Sequence, residues 1–304
     1  MIGIVEVGPR DGLQSETAVL TPERRVELIR RLAACGLKRI ETVSFADPGR
    51  VPQMAGAEEI SAALTPRSFS AIGLVLNGRG MDRALDCDLD EVNVVAYASD
   101  GYALKNTGAE AVRRNSEAAA LIERARATGL RVSATIAVAF GDPIEGVVEV
   151  GTVTDLASRL AAAGCHEIAL GDTIGVANPV AVERLFTAVA EAVPDCTRRA
   201  HFHNTRNTGY ANAVAALRSG VESLDAAVGG FGGSPFAPGA GGNVATEDLT
   251  AMLAAMGEDT GVDHDGVAEV GGWLAGLLGC ERPHSMLGRV PPWPPTRGGS
   301  TPPR

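Results

Sequence analysis

The chain has 304 residues, 45% of them hydrophobic and 21% charged, the balance of an ordinary globular protein and not of a disordered chain. Its formal net charge of -10 repels a phosphate backbone and no basic stripe offsets it, so nucleic acid is excluded as a partner. No uninterrupted apolar stretch reaches the roughly 18 residues of a membrane span, which sets a membrane role aside.

The chain opens on an apolar strand, Ile2–Val7, without a basic leader region. Its five cysteines (Cys35, Cys87, Cys165, Cys196, Cys280) are odd in number, scattered and never spaced C-x-x-C. That pattern argues against a disulfide framework or a thiolate zinc site, and reduced thiols in a cytoplasmic protein are expected. From there, short β-branched runs alternate with helical patterns to the end of the chain. Strands are expected at Ile2–Val7, Arg39–Val43, Ser70–Leu76, Glu91–Ala96, Arg131–Ala139, Glu167–Leu170, Arg199–His203 and Ser223–Ala227. Amphipathic helices are expected between them, among others at Thr21–Cys35, Ala109–Thr128, Val150–Ala163, Val180–Val193 and Thr208–Ser219. Several are closed by a glycine just past the helix end (Gly36, Gly129, Gly164, Gly220), as helix C-termini favour.

Eight such units predict an α/β fold, a (β/α)₈ TIM barrel, which commonly runs to roughly 250 residues as one domain. An open doubly wound sheet is the alternative, but it requires G-x-G-x-x-G between a strand and a helix. Asn77-Gly78-Arg79-Gly80 comes nearest and is too short; it reads as a turn that starts a helix. Two extra C-terminal helices, Thr246–Gly257 and Val262–Leu278, complete one barrel domain over residues 1–288. The tail 289–304, rich in Pro, Gly and Ser, is expected to be a disordered appendage.

In such a barrel the chemistry sits on strand C-terminal ends and the loops that follow. After the first strand the chain turns abruptly from apolar to charged in Glu6-Val7-Gly8-Pro9-Arg10-Asp11-Gly12-Leu13-Gln14, although Gly-Pro and Asp-Gly also suit a plain surface turn. Strand seven ends in His201-Phe202-His203, and side-chain alternation puts both imidazoles on one side, about 7 Å apart at the backbone. Facing the lumen, they could converge on one ion beside Asp11; hydrogen bonding among polar loop groups is the other use of such a pair. Strand two brings Glu41 to the same rim. Strand six ends in Gly171-Asp172-Thr173-Ile174-Gly175, where Asp172 could equally be a helix cap. The loop Gly229–Asn243 is dense in glycine, whose ordering costs backbone entropy and so points to a lid, a close approach to a ligand, or both. An interdomain linker fits its composition but not Phe231, Phe236, Pro235 and Pro238. Asn243 closes the segment and could give a side-chain oxygen to an ion.

Five segments together resemble the hydroxymethylglutaryl-CoA lyase family of the DRE-TIM metallolyases, over nearly the whole chain up to the tail. They are Val5–Gln14 (VEVGPRDGLQ), Ile40–Phe45 with Val51-Pro52-Gln53-Met54, Gly171–Gly175 (GDTIG), His201-Phe202-His203, and Gly232–Asp248 (GGSPFAPGAGGNVATED). The resemblance implies one Mg²⁺ or Mn²⁺ ion held by Asp11, His201, His203 and Asn243, a set that would also satisfy Fe²⁺. It implies retro-Claisen cleavage of 3-hydroxy-3-methylglutaryl-CoA to acetyl-CoA and acetoacetate. Arg10 would supply a cation near the thioester oxygen, Glu41 and Asp172 would orient ligands or relay protons, and His201 would be both ligand and proton carrier. Arg10, Gln14 and Asn77 are the expected substrate-binding residues, an acyl-CoA is the expected partner, and a homodimer is implied.

Three positions depart from the family pattern. Ser234 stands where the lid of the family carries a catalytic cysteine, Asn204 replaces the aspartate usual after the second histidine, and Asp142 stands where the strand-five loop often has cysteine. A thiol can be tuned to exchange protons near neutral pH, whereas a serine hydroxyl needs another base. Ser234 is therefore a candidate catalytic residue whose chemistry stays open. The alternatives are a lyase for citramalyl-CoA or another 3-hydroxyacyl-CoA, a Claisen-type synthase using acetyl-CoA, and a metal-binding barrel that has lost catalysis.

Overall fold

Eight strands pair in sequence order, and the last closes on the first. They are β1 (Gly3–Glu6), β2 (Arg39–Ser44), β3 (Ser70–Val75), β4 (Glu91–Tyr97), β5 (Arg131–Ala137), β6 (Glu167–Asp172), β7 (Thr197–Phe202) and β8 (Ser223–Ala226). Every pairing is parallel. The outer layer comprises α1 (Pro22–Ala34), α2 (Ala57–Ala63), α3 (Gly78–Leu85), α4 (Asp100–Thr107), α5 (Ala111–Ala127), α6 (Val150–Ala162), α7 (Pro179–Ala192) and α8 (Gly209–Arg218). The two expected C-terminal helices follow as α9 (Thr246–Ala255) and α10 (His264–Leu278). The computed structural model describes residues 2–233 and 242–290; Ser234, with the following residues to 241, and the tail from 291 lie outside them. Among the described residues no helix is long and apolar enough to cross a membrane.

Local chemistry sets the element ends. Thr21 accepts a hydrogen bond from the Arg24 amide at 3.4 Å, with Pro22 in the first turn of α1, the arrangement that satisfies otherwise unpaired helix amides. Val26, Leu28, Ile29 and Leu32 are then buried along one side of α1. Asn77 does start a helix: its side-chain oxygen accepts from the Gly80 amide at 2.8 Å and caps α3. Strand seven was expected to run through His203, but β7 ends at Phe202. His203 instead makes an isolated antiparallel bridge with Asn243.

Wrapping helices leave the strands buried on both faces, so their sequences do not alternate cleanly between apolar and polar. Several of the polar residues they contain point inward. Arg39 on β2 bonds Glu91 on β4 at 2.9 Å and Glu167 on β6 at 2.8 Å, and β2 reaches β6 only across the lumen. Arg199 on β7 lies 3.5 Å from the same Glu167. Burial works against the Glu167 charge, but Arg199 and Arg39 outweigh it and hold the carboxyl below its usual range. The lower lumen is thus a compensated ion network, and one step above it along each strand begins the site.

Candidate metal centre at the barrel mouth

Directly after β1 the chain makes a π-helical turn over Gly8–Gly12. The Val7 carbonyl accepts from the amides of Arg10 (3.1 Å), Asp11 (2.7 Å) and Gly12 (3.2 Å). Such wide turns are uncommon and often mark functional positions; this one carries Arg10 and Asp11 to the mouth. Beneath it, Glu6 Oε1 accepts from the amides of Gly8 (2.7 Å) and Val228 (2.9 Å), while Thr246 donates to Oε2 at 2.6 Å. Burial raises the Glu6 pKa to about 7 despite these donors, and nearby Glu247 adds to the rise.

Asp11, His201 and His203 each turn a donor atom into one spot, with those atoms within 4.8 Å of one another. The two imidazole centroids are 5.1 Å apart with an interplanar angle of 62°, as the alternation argument anticipated. His201 Nε2 lies 4.0 Å from Asp11 Oδ2. Asn243 donates its amide nitrogen to Asp11 Oδ2 (2.8 Å) and to the Phe231 carbonyl (3.1 Å). Burial opposes the Asp11 charge, yet Arg10, His201 and His203 draw its carboxyl well below the usual range. Burial, with the His201 charge adding to it, pushes His203 down to about 4. His201 moves the other way: burial lowers it, but the Asp225 hydrogen bond and the charges of Asp11 and Asp225 prevail.

A second observation, independent of the three converging donors, fits a divalent ion. His203 Nδ1 is buried with no hydrogen-bond partner among the described residues. An orphaned ring nitrogen is costly in a protein interior unless something unrecorded occupies its lone pair. A neutral imidazole is also the form that ligates metals.

Arg10 sits between two carboxylates. Its Nε donates to Glu41 Oε2 at 2.7 Å and its Nη1 to Asp11 Oδ1 at 2.6 Å. Asn93 on β4 donates to Glu41 Oε1 at 3.0 Å, and Thr135 on β5 donates to the Asn93 oxygen at 3.1 Å. The β2–β3 register shifts between Glu41 and Val43, and a bulge there re-aims the neighbouring side chain.

The remaining expected residues are placed as follows. Asp172 ends β6, buried, and its two oxygens accept from the amides of Val176 (2.8 Å) and Ala177 (3.0 Å). Burial raises its pKa to about 6 against the pull of those amides and His201. Gln14 is half-buried just past the π-turn, and Asn77 spends its oxygen on the α3 cap. Ser234 lies outside the described residues. Asn204 holds the start of α8 through the Gly209 amide at 3.1 Å. Asp142 is buried and accepts from Ser99, from the Tyr102 amide (3.0 Å) and from the Glu145 amide (2.8 Å), so it clamps its own loop. The glycines of the loop after β8 include one of the expected kind. Gly232 has φ +90°, and a Cβ there would meet the Asp11 carbonyl at 2.7 Å and Asn243 Nδ2 at 2.8 Å.

Sequence reasoning missed Asp225, Asn93 and Thr135, and noted Glu6 only as the start of the charged stretch after β1. The first three are polar residues within strands that the wrapping helices enclose, and that mismatch was the available signal.

The HMGL-like family model matches residues 1–272. The chain belongs to the HMGL-like family. Among its members, the (R)-citramalyl-CoA lyase of Chloroflexus aurantiacus is 42% identical over 305 residues, covering 96% of this chain and 95% of that protein. The hydroxymethylglutaryl-CoA lyase of Pseudomonas mevalonii is 39% identical over 279 residues, covering 91% and 93%. Among solved structures, an HMG-CoA lyase from A. baumannii in complex with coenzyme A and 3-methylmalate superimposes with TM-score 0.91 at 33% identity, covering 100% of this chain and 98% of that one. This HMGL-like chain is accordingly a carbon–carbon lyase.

Proposed function

We propose that this HMGL-like lyase cleaves a 3-hydroxy-3-methyl acyl-CoA thioester with the help of one Mg²⁺ or Mn²⁺ ion, releasing acetyl-CoA. The observation that carries this reading is the convergence of Asp11, His201 and His203 beside Arg10 at the open end of the barrel. Asp11 and both imidazoles would hold the ion, with Asn243 adding its side-chain oxygen. Two nitrogens and a carboxylate suit Mn²⁺, and added oxygen ligands suit Mg²⁺. When bound, the ion supplies Lewis-acid stabilisation of negative charge on the substrate hydroxyl oxygen.

The reaction removes the proton of the tertiary hydroxyl and breaks the bond between the carbinol carbon and the carbon next to the thioester. The bonding electron pair passes to the thioester side as an enolate, which then takes up a proton. Arg10 is positioned by Glu41 and Asp11 to stabilise that enolate oxygen, since a fixed cation in a site sheltered from water acts without reorganising. Asp172, raised to about 6 by burial, has a proton affinity close to neutral pH, where general acid–base groups work best; His201, whose proton Asp225 and Asp11 help to hold, is the second candidate carrier. One of these groups would carry the proton that a cysteine, at the position of Ser234, carries elsewhere in the family.

Hydroxymethylglutaryl-CoA is the first substrate of this reading. The citramalyl-CoA lyase relative at 42% identity favours a second, (R)-citramalyl-CoA, which lacks one methylene between the carbinol carbon and the distal carboxylate. A pocket discriminates one methylene by only about 1–3 kcal/mol. The test is acetyl-CoA release by metal-stripped enzyme supplied with Mg²⁺ or Mn²⁺ and each thioester in turn. Acetoacetate as co-product identifies the first substrate and pyruvate the second. Release from neither thioester, with free CoA formed from acetyl-CoA and a 2-oxo acid, would make the protein a synthase instead. A homodimer is part of the same reading, and light scattering tests it.

A further inference from the structure

The buried carboxylate of Asp225 contributes to the centre without joining the ligand cluster. It sits on β8 beside β7, and its Oδ2 lies 3.1 Å from His201 Nδ1. Its other oxygen lies 3.4 Å from Nε of Arg199, which is 1% exposed and also faces Glu167 at 3.5 Å. The two carboxylate oxygens therefore serve different neighbours. One keeps the charge of Asp225 compensated by the ion network lower in the lumen, and the other is free to hold the imidazole.

A carboxylate can only accept, so the nitrogen that faces it must carry the hydrogen. With the hydrogen on Nδ1, the Nε2 lone pair of His201 points towards Asp11 Oδ2, 4.0 Å away. His203 differs, since its Nδ1 has no hydrogen-bond partner among the described residues. Among the described residues, one imidazole has a carboxylate on its Nδ1 and the other has no partner there.

Resting on the metal reading above, we propose that Asp225 is a positioning residue: it fixes the tautomer and ring plane of His201, presents Nε2 as a preformed ligand, and ties the centre to the Arg199–Glu167 network. Outer partners of this type change metal affinity by about 10–100-fold when removed.

Two measurements test it, both on the full chain. The first is Mn²⁺ affinity by electron paramagnetic resonance for the parent, Asp225→Asn and Asp225→Ala, with circular dichroism to confirm folding. Asp225→Ala is expected to weaken Mn²⁺ binding by about 10–100-fold. Asp225→Asn, whose amide oxygen can still accept from Nδ1, is expected to lose less and to fold where the alanine variant does not. The second is ¹⁵N resonance of the metal-free histidine rings at alkaline pH. His201 is expected to be protonated on Nδ1 in the parent and to lose that preference in Asp225→Ala. Folded variants that bind Mn²⁺ as the parent does, or a parent His201 protonated on Nε2, overturn the role of Asp225 alone. A parent that binds no Mn²⁺ overturns the metal reading and this proposal with it.

Discussion

Asn243 donates to Asp11 Oδ2 at 2.8 Å, so the loop after the first strand and the loop after the last meet side chain to side chain at the candidate centre. Removing one member of the proposed ligand set should therefore weaken the whole centre. Asp11→Ala and His203→Ala are each expected to lower Mn²⁺ affinity by at least about 100-fold, beyond the effect of an outer partner, with the barrel fold retained. Calorimetric titration with Mn²⁺ checks this, and near-parental binding by both variants would remove the basis of the proposed mechanism.

Arg10 should affect turnover much more than metal binding. Arg10→Met removes the cation proposed to face the enolate oxygen and leaves Glu41 without its 2.7 Å partner. A loss of about 10²–10³ in kcat is expected, the scale of losing one stabilising group at a developing oxyanion. Arg10→Lys should recover little, because a single ammonium cannot reproduce a planar guanidinium spanning two carboxylates. Steady-state kinetics with the accepted thioester decide it.

The barrel was legible because its signal is repetitive. Eight β-branched runs separated by capped helices leave few other architectures, and α9 and α10 follow the same rules. His201 and His203 were legible as a pair because strand alternation is rigid, whereas Asp225 and Asn93 were not. A lone acid in Ser223-Leu224-Asp225-Ala226 stands out as polar, but its target is not visible until the fold sets it against His201 and Arg199. Two-strand-distant contacts such as Asn93 to Glu41 depend on which residues share a level of the barrel, and spacing along the chain does not encode that. The loop of Asp142 shows the converse: a residue noted for departing from the family proved to hold its own turn.

Gly232 offers a sharper test of loop packing. At φ +90° an L side chain is strained, and its Cβ would collide with Asp11 backbone and Asn243. Gly232→Ala is expected to cost about 1–3 kcal/mol from backbone strain alone and to weaken Mn²⁺ binding by displacing both neighbours. Urea unfolding and the Mn²⁺ titration are the measurements, and an alanine variant equal to the parent in both would show that the loop yields freely.

Stability should carry a pH signature from Glu6. Burial raises its pKa from 4.5 to about 7, so the folded state binds the proton more tightly than the unfolded chain. The associated stability is complete below about pH 4.5 and is lost as pH rises through about 7. Glu6→Gln resembles the neutral acid at every pH. Its stability relative to the parent should therefore climb between pH 5 and pH 8, by an amount on the order of 3 kcal/mol at most, and its melting temperature with it. Scanning calorimetry across that window tests it; a flat difference would mean that the folded and unfolded states release this proton alike.

Ser234→Ala should leave Mn²⁺ affinity unchanged. If Asp172 or His201 carries the proton, turnover should fall by less than the roughly 10²–10⁴ that follows removal of a general acid–base group. A drop within that range would return the role to Ser234, and single-turnover kinetics distinguish the two.

The seam that joins β1 to β8 pairs Gly3–Glu6 with Ser223–Ala226, the two extremes of the barrel sequence. During synthesis the first strand leaves the ribosome with one edge unpaired and must wait through seven further units for its neighbour, a delay that exposes it to wrong partners. Asp11 emerges early, both histidines and Asp225 arrive late, and Asn243 follows β8. Sealing the sheet and assembling the site thus belong to the same late stage of biogenesis, and a nascent chain that stalls before β8 can neither close nor hold His201 in place.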